Sequence, residues 1–410
     1  MSAFAQRVRR IPLAWPWWMQ VLAVFAATRV FTTVVLLLAW RTQVGGAPHS
    51  WPHHTRPPLA VFLGRWWDGW WYQQIATGGY PSTLPTGPGG SVERNAWAFF
   101  PLYPMLVRAV TAVTGIGGEA AAVTVSVLLA GGAMLVLYRL VEVGAPRAVA
   151  ARPGLPLATV TLVAVYPTSP VLQLAYTESL ALLLLATSLL LVVRRRYWWA
   201  MIPVVALGFT RAVTLPMALV VVVHGAIRCR GRRTSPLPRR DLVALVGLTA
   251  VACVSGVAWP VIGDWVTKAP DGYLMTQEAW RVHRGVGPFD GWARLATMPW
   301  WLAVLVLGTL ATLIALLASR SARRLGPELY AWSAGYVLYL VVVSDLITSL
   351  LRFLMLAFPL GAVTVGLVTT PPRRAGRWFA LVVVCSLVLQ VAWVWVIWRD
   401  LPASHHVGAP

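Results

Sequence analysis

Long apolar runs, separated by short arginine-rich clusters, occupy most of this chain and limit what it can fold into. A run of about 20 apolar residues can cross a bilayer as a helix, because a helix satisfies its own backbone hydrogen bonds. When one run interrupted by Arg or Pro is counted as two short spans, there are about eleven crossings. They cover residues 18–40, 119–141, 155–173, 177–193, 197–210, 212–227, 241–262, 298–318, 327–344, 347–369 and 376–398. The pattern predicts an all-α polytopic membrane protein.

Composition agrees with this class, because 58% of the residues are hydrophobic and 11% are charged, which excludes an ordinary soluble domain. The net charge of +21 does not indicate nucleic-acid binding, since the basic residues cluster between the apolar runs and act as orientation signals. We place on the cytoplasmic side the clusters at 7–10, 146–153, 194–196, 228–240, 320–324 and 371–377. The cysteines show no metal spacing and are predicted to be packing residues: Cys229, Cys253 and Cys385.

This orientation predicts two large extracytoplasmic loops, at about 41–118 and 263–297, and a basic cytoplasmic loop at 228–240. Segment 97–114 is predicted to be re-entrant or to lie at the interface, because a full crossing would move the next arginine clusters outside. The basic N-terminus leads into an apolar run without a small-residue cleavage site, which predicts a retained first span. Without repeats or low-complexity tracts, residues 1–410 are interpreted as one membrane-embedded domain.

The first outer loop contains RWWDGWWYQQIATGGYP at 65–81, which places an aspartate among four tryptophans. On a helical wheel Arg65, Asp68 and Tyr72 share one side. The opposite side carries Trp66, Trp67, Trp70 and Trp71. Because Trp favours the headgroup region, the motif predicts a short helix lying flat on the outer leaflet with its tryptophans in lipid. A structural alternative is an aromatic belt in which Asp68 merely pairs with Arg65.

Carboxylates are scarce, since the chain has thirteen Asp and Glu residues in total. Asp68 and Glu178 lie at the membrane boundary, where desolvation can raise a carboxylate pKa toward that of a working general base. Glu178 belongs to YTES at 176–179, which also contains Tyr176, at the outer start of a predicted helix. Capping of that helix is a sufficient structural interpretation of Glu178.

Several basic residues need an explanation of their own. Arg211 and Arg352 lie inside apolar runs near the outer boundary, and a charge at the membrane centre costs about 3 kcal/mol. Their guanidinium forks suit a lipid phosphate, while snorkelling or pairing with a local carboxylate is the structural alternative. Arg29, midway along the first span, is either structural or lines a cavity. His283 is predicted to be a surface or acceptor-contact residue, and no metal site is expected.

Taken in order, these segments resemble the PIG-V family of membrane mannosyltransferases, members of the GT-C superfamily. The resemblance rests on D-x-x-W-Y-x-x-I-A-x-x-G-Y at 68–80, AFFPLYP at 98–104, Pro167 followed by YTES, TR at 210–211 and RFLMLAFP at 352–359. It implies that Asp68 is the catalytic base. Substrate-binding residues expected with it are Arg65, Tyr72, Tyr103, Tyr176, Glu178, Arg211 and Arg352. Arg65 stands three residues before Asp68 where the family pattern has two, and the histidine that follows the aspartate in eukaryotic members is absent.

The resemblance implies a GT-C-like helical bundle, whose large first extracytoplasmic loop carries interfacial helices, in a bacterial plasma membrane. The expected activity is inverting, metal-independent and cofactor-free transfer of a hexose, most simply mannose, from a polyprenyl-phosphate donor to a glycolipid or glycan acceptor of the cell envelope. The active site would face outside, and the chain has no Rossmann glycine fingerprint for nucleotide sugars. Phosphate contacts are expected to lie away from Asp68. Membrane lipids are partners and nucleic acid is not.

Two alternatives stay open at this point. A transporter or flippase of lipid-linked sugars would also need boundary arginines and a polar groove, but it would not need a general base. A GT-C enzyme could instead transfer another sugar, such as arabinose or glucose.

The predicted topology can be tested by thiol labelling in intact cells. In a cysteine-free background, a cysteine replacing Gly90 should react with an impermeant thiol reagent, whereas one replacing Ser235 should react only after lysis, because the Arg-rich loops fix the cytoplasmic side. Labelling of Ser235→Cys but not Gly90→Cys in intact cells would place Asp68 in the cytoplasm.

Overall fold

The computed structural model describes residues 15–43, 56–281, 285–345, 349–366 and 372–399. Within these ranges the chain is helical, and its extended pairing is limited to one isolated antiparallel bridge between Thr86 and Val92. The basic cluster at 7–10 and His283 lie outside the described residues.

The α-helices of the described ranges are numbered here in chain order. They are α1 (Trp17–Arg41), α2 (Leu59–Gly64), α3 (Asp68–Gly78), α4 (Leu102–Thr114), α5 (Gly118–Gly144), α6 (Pro146–Ala151), α7 (Leu155–Ala164), α8 (Glu178–Val193), α9 (Tyr197–Gly208), α10 (Thr214–Arg230), α11 (Arg239–Thr267), α12 (Gly272–Trp280), α13 (Trp300–Ala318), α14 (Pro327–Val343), α15 (Ser349–Phe353), α16 (Pro359–Gly366) and α17 (Pro372–Trp393). Short 3-10 segments lie at Ala96–Ala98, Ser169–Gln173, Asp290–Ala296, Ala322–Arg324 and Leu354–Ala357, and a π-helical turn at Val394–Trp398 follows α17.

Prolines set where many of these helices begin. Helices α1, α2, α4, α11 and α13 each start at the residue after a proline. The proline ring fixes φ, and the chain entering a helix loses no hydrogen bond there, because the first turn has no intrahelical acceptor for its N–H groups. Prolines therefore mark the starts of these helices and divide the apolar sequence into separate helices.

Among the described residues, five helices are long and apolar enough to cross a membrane: α1, α5, α11, α13 and the stretch from Arg374 through the π-helical turn. The number rises to six if α15 to α16, bent by 73°, form one broken span. This confirms an all-helical, multi-pass membrane protein. Eleven crossings remain a prediction, since the other predicted runs contain shorter helices, such as α7 with 10 residues.

Segment 97–114 folds into the 3-10 turn Ala96–Ala98 and helix α4 of 13 residues. At 1.5 Å per residue, such a helix reaches about 20 Å, which is shorter than the hydrocarbon core of a bilayer. The predicted re-entrant or interfacial position of this segment therefore agrees with its length, and its placement relative to a membrane stays a prediction.

The centre of the bundle is formed by α5 packed along α8. Helix α9 packs between α8 and α11, and α10 packs against both α11 and α14. In contrast, α13 has no buried residue within the described structure, and it exposes large apolar side chains such as Trp300 and Val304. An apolar helix of this kind is covered by lipid, so α13 lies at the edge of the bundle.

Arg29 of α1 has a structural role. Its guanidinium donates to the carbonyl oxygens of Ala164 and Ser169, each at 2.7 Å, and to the Ser169 hydroxyl at 3.3 Å. Ala164 ends α7, where carbonyls lack intrahelical partners and a cation is favourable. Of the two predicted possibilities for Arg29, the structural one therefore accounts for its burial.

The prediction that the cysteines are packing residues is wrong. Cys229, Cys253 and Cys385 are all exposed on the outside of their helices. Cysteine behaves as a small hydrophobe, and an apolar run shows neither which side of its helix faces lipid nor which faces the protein.

Candidate functional site

Four charged side chains form a buried cluster, here called the ion-pair cluster. Arg352 Nη1 donates to Asp68 Oδ2 at 2.7 Å, and Arg352 Nε lies 3.3 Å from Glu178 Oε1. Arg211 Nη1 donates to the same Glu178 oxygen at 2.5 Å. The order in space is Asp68, Arg352, Glu178, Arg211, so charges alternate and sum to zero. Pairing of this kind is what makes charges tolerable in a low-dielectric environment.

The cluster becomes more buried toward its middle. The Glu178 side chain is 0% exposed and that of Arg352 is 7% exposed. Asp68 and Arg211, at the two ends, are 16% and 15% exposed. Asp68 is therefore the carboxylate of the cluster that a molecule arriving from outside can reach.

Asp68 begins helix α3 directly after a sharp turn. Helix α2 ends at Gly64, and Trp67 takes φ 52° and ψ −122°, a conformation that residues with a side chain rarely adopt. The turn is closed by Gly69 N donating to Trp66 O at 3.0 Å and by Trp70 N donating to Trp67 O at 3.1 Å. Strain at such a position costs on the order of 1–3 kcal/mol and is kept where the surrounding structure fixes the backbone.

Two glycines let this turn approach its neighbours closely. A Cβ at Gly64 would lie 2.6 Å from the backbone oxygen of Glu119, and one at Gly69 would lie 3.3 Å from the Ala175 Cβ. Ala175 N in turn donates to Leu63 O at 3.3 Å. These contacts hold the turn before Asp68 against the start of α5 and against the segment that leads to Glu178.

The prediction that the tryptophans lie in lipid is wrong for Trp66 and Trp71, whereas the position of α3 on the outer leaflet stays a prediction. The helix begins at Asp68, so residues 65–67 do not continue its wheel. Trp66 is 0% exposed and packs against Phe62 with ring centroids 5.6 Å apart. Trp71 stacks on Phe99 at 5.6 Å and meets Trp280 edge-on at 5.3 Å. Ring contacts of this kind stabilise the burial of Trp66 and Trp71 against the protein.

Arg352 lies on an irregular segment held by aromatic side chains. The Tyr166 and Tyr336 hydroxyls donate to the Leu351 and Phe353 carbonyls at 3.1 and 3.0 Å. Trp332 Nε1 donates to the Leu356 carbonyl at 2.8 Å. A short helix followed by a 3-10 turn leaves some carbonyl oxygens without intrahelical donors. The tyrosine hydroxyls and the tryptophan N–H group donate hydrogen bonds to them instead.

Glu178 is the first residue of α8, as the sequence predicts, but its carboxylate contacts arginines. Its pairing with Arg211 and Arg352 shows that capping alone does not account for it. Arg211 lies between α9 and α10 and also donates to Thr177 Oγ1 at 3.3 Å. The predicted alternative of local carboxylate pairing is thus what both arginines do in this structure.

Aromatic faces fix the planes of the two guanidinium groups. The Arg352 Cζ lies 4.7 Å from the Tyr176 ring centroid and 5.3 Å from that of Phe353. The Arg211 Cζ lies 4.7 Å from the same Phe353 ring. Tyr176 itself packs against Trp398, with centroids 5.7 Å apart. These cation–π contacts stabilise the positions of both guanidinium groups and leave their N–H groups available for hydrogen bonds.

Burial controls protonation at the Asp68 end of the site. Burial raises the pKa of the Asp68 carboxyl above its ordinary value, and the nearby Arg352 opposes this effect without cancelling it. Tyr72 lies one turn later on the same helix, and burial, together with the Asp68 and Glu178 charges, raises the pKa of its hydroxyl. The Tyr72 hydroxyl therefore remains protonated, and a proton acceptor with a raised pKa lies close to it.

The structure brings together five of the predicted site residues: Asp68, Tyr176, Glu178, Arg211 and Arg352. Tyr72 lies beside them.

Two predicted binding residues lie elsewhere. Arg65 Nη1 lies 3.8 Å from Glu119 Oε1, whereas Asp68 pairs with Arg352. The alternative in which Asp68 pairs with Arg65 is therefore wrong. Tyr103 is 0% exposed, and its hydroxyl donates to Ala122 O at 3.0 Å and meets Ser126 Oγ at 2.9 Å. Its ring packs against the Tyr72 ring, with centroids 5.1 Å apart, and so supports α3.

The sequence analysis assigns no role to three other contributors. Phe353 contacts both arginines, and Trp332 and Tyr336 hold the Arg352 segment. Spacing offers one signal, because Trp332 and Tyr336 are four residues apart on α14 and stack with centroids at 5.0 Å. For metals, the described residues hold no group of three or more His, Cys, Asp or Glu side chains able to bind an ion.

Comparison with known proteins gives structural neighbours of low identity. No protein-family model and no curated protein sequence matches the chain. Among solved structures, it is similar to the archaeal oligosaccharyltransferase AglB from Archaeoglobus fulgidus in complex with an inhibitory peptide and a dolichol-phosphate, with 14% identity, a TM-score of 0.48, and coverage of 96% of this chain and 57% of that one. It is also similar to an Archaeoglobus fulgidus oligosaccharyltransferase tethered with an acceptor peptide. Here the identity is 13%, the TM-score is 0.46, and the match covers 95% of this chain and 56% of that one.

The chain thus spans under two thirds of the length of these neighbours. Membership of the PIG-V family stays a prediction, and the function is argued below from the site itself.

Close packing at Gly64 can be tested by comparing two glycines near Asp68. Gly64→Ala should lower the free energy of unfolding by about 1–3 kcal/mol, because the new methyl group meets the Glu119 backbone. Gly78→Ala, at the far end of α3, meets no described atom within 4 Å and should change it by less than about 0.5 kcal/mol. Thermal unfolding in detergent measures both, and equal stability of the two variants would contradict the packing described here.

Proposed function

We propose that the protein is an integral membrane glycosyltransferase that moves a hexose, most simply mannose, from a polyprenyl-phosphate donor to a glycolipid or glycan acceptor. The observation that carries this proposal is the contact between Asp68 and Arg352. It places a reachable carboxylate with a raised pKa next to a cation suited to phosphate, which are the two groups that such a transfer needs.

An apolar groove that reaches the segment carrying Arg352 is a candidate site for the lipid chain of the donor. The groove runs between α13 and α14 and reaches the segment of Arg352 through Leu350 and Leu354. Its described lining residues are Trp292, Val306, Thr309, Leu310, Leu313, Val337, Leu340, Val341, Leu350 and Leu354. Arg352 is not itself a lining residue, and a polyprenyl chain in this groove would hold its phosphate near the segment that carries Arg352. Each buried methylene group of the chain would contribute about 0.8 kcal/mol.

In the proposed reaction, Asp68 accepts the proton of an acceptor hydroxyl while its oxygen attacks the sugar C1. The bond between C1 and the phosphate oxygen breaks, and its electron pair leaves with the phosphate. The donor is a phosphodiester, so its phosphate gains negative charge as it leaves, and Arg352 neutralises that charge. Attack opposite the leaving group inverts the configuration at C1. The tyrosines Tyr72 and Tyr176, with Glu178, would position the acceptor and the base.

Orientation completes the proposal. With the six basic clusters in the cytoplasm, Asp68 and the ion-pair cluster face the outside of a bacterial plasma membrane. A donor anchored by its own lipid can be held there in the membrane plane, whereas nucleotide sugars are confined to the cytoplasm. Supplying the purified protein with polyprenyl-phosphate mannose, glucose or arabinose and a panel of glycolipid acceptors identifies the sugar.

The decisive variant is Asp68→Asn. It keeps the size of the side chain and a hydrogen bond to Arg352 but removes the proton acceptor, so sugar transfer should fall by about 10² to 10⁴-fold. The measurement is transfer of radiolabelled sugar by folded, detergent-purified protein. Glu142→Gln is the matched control, because it also removes a carboxylate from an arginine, in the pair with Arg139 at 2.6 Å, and should transfer at the parent rate. Near-normal transfer by Asp68→Asn would move the base to Glu178, and absence of transfer by the parent protein would favour a transporter instead.

The pH dependence of transfer should report the same carboxyl group. Asp68 must be ionised to accept a proton, so the rate should fall as the pH drops through its pKa and level off above it. Because burial raises that pKa, the midpoint of the acid limb should lie above the ordinary aspartate value of about 4. In Asp68→Asn the small remaining rate should lack this limb. An unchanged acid limb in the variant would assign it to another group.

A further inference from the structure

We propose that Asp68 and the donor phosphate compete for Arg352, so that Arg352 holds the base until a lipid phosphate displaces it. This inference rests on the proposed function and adds an order of events to it. Donor binding would come first and would itself release Asp68 to accept a proton.

The geometry makes Asp68 the partner that can be exchanged. Arg352 Nη1 bonds Asp68 at 2.7 Å, at one of the two partly exposed ends of the ion-pair cluster, with the Asp68 side chain 16% exposed. Glu178, the other partner of Arg352, is 0% exposed and is also held by Arg211 at 2.5 Å. An incoming anion therefore meets the bond between Asp68 and Arg352 before the contacts of Glu178.

Charge balance gives the reason for competition. The ion-pair cluster contains two carboxylates and two guanidinium groups, so Arg352 has no uncompensated charge while Asp68 is bound. A phosphate added beside it would place a third anion among two cations, where like charges repel strongly because the dielectric constant is low. Displacement of Asp68 from Arg352 reduces that repulsion and leaves the arginine between the donor phosphate and Glu178.

Arg352 is fixed more firmly than Asp68. Its plane is set by the Tyr176 and Phe353 rings, and its backbone segment is held by hydrogen bonds from aromatic side chains. Within the ion-pair cluster the Asp68 carboxylate, at the first position of α3, is bonded by Arg352 alone. The side chain that moves in the exchange is therefore Asp68. Once separated from the cation, its carboxylate becomes the stronger base, and it does so only when a donor is present.

The experiment measures binding of a lipid probe, polyprenyl methyl phosphate, to purified protein in nanodiscs. This phosphodiester carries the single negative charge of the donor and no sugar. The folded Asp68→Asn protein should bind it about 10-fold more tightly than the parent, because its Arg352 no longer has a competing anion. Polyprenol, which lacks the phosphate, should bind both proteins equally. Glu142→Gln, which frees an arginine away from the ion-pair cluster, should bind the probe like the parent.

A double variant identifies the arginine involved. If the gain arises at Arg352, Asp68→Asn should give no gain in an Arg352→Ala background. For the parent protein, affinity for the probe should rise as the pH falls and Asp68 becomes protonated, and Asp68→Asn should lose this dependence, since the charge of the probe does not titrate in the working range. This measurement needs no variant to establish the direction of the effect.

The outcomes separate this inference from the proposed function. Unchanged or weaker probe binding by folded Asp68→Asn, a gain that persists without Arg352, or pH-independent binding to the parent would each overturn the competition. Transfer is a separate measurement. Lost transfer with unchanged probe affinity would leave Asp68 as the base without competition, whereas tighter binding with normal transfer would leave the competition and remove the base.

Discussion

The ion pair between Asp68 and Arg352 joins two residues 284 positions apart, and the arrangement of the site depends on it. Removing either partner would leave a charge uncompensated in a low-dielectric environment, which typically costs 3–5 kcal/mol. The turn before α3, the start of α8 and the irregular segment of α15 must therefore meet at one place. The close approaches at Gly64 and Gly69 and the ring donors of α14 are the packing that allows them to do so.

Much of the fold could be predicted from the sequence, because hydropathy and proline reflect forces that act locally. Apolar runs become helices, and their starts follow prolines such as Pro16 and Pro238. The predictions that fail are those that depend on which side of a helix packs against another helix. The tryptophans around Asp68 and the cysteines are the examples, since one group is buried against distant rings and the other faces outward.

The site shows the same division. Arg211 and Arg352 are charges inside apolar runs, which must have a partner or a cavity, and Asp68 and Glu178 are scarce carboxylates at the membrane boundary. These two arguments indicate the four residues without any knowledge of their contacts. It did not show that they contact one another, so phosphate contacts were expected away from Asp68, whereas Arg352 lies 2.7 Å from it. Contacts across hundreds of residues leave no pattern in a single sequence, and the roles of Phe353 and Arg65 became visible only in three dimensions.

Helix α13 ties the site to the physical state of the bilayer. With 19 residues it is about 28 Å long, close to the thickness of the hydrocarbon core, and within the described structure none of its side chains is buried. A helix held mainly by lipid adjusts its tilt to membrane thickness more readily than the helices at the centre of the bundle. Because α13 forms one wall of the groove that reaches Leu350 and Leu354, the width of that groove should follow the length and order of the surrounding acyl chains.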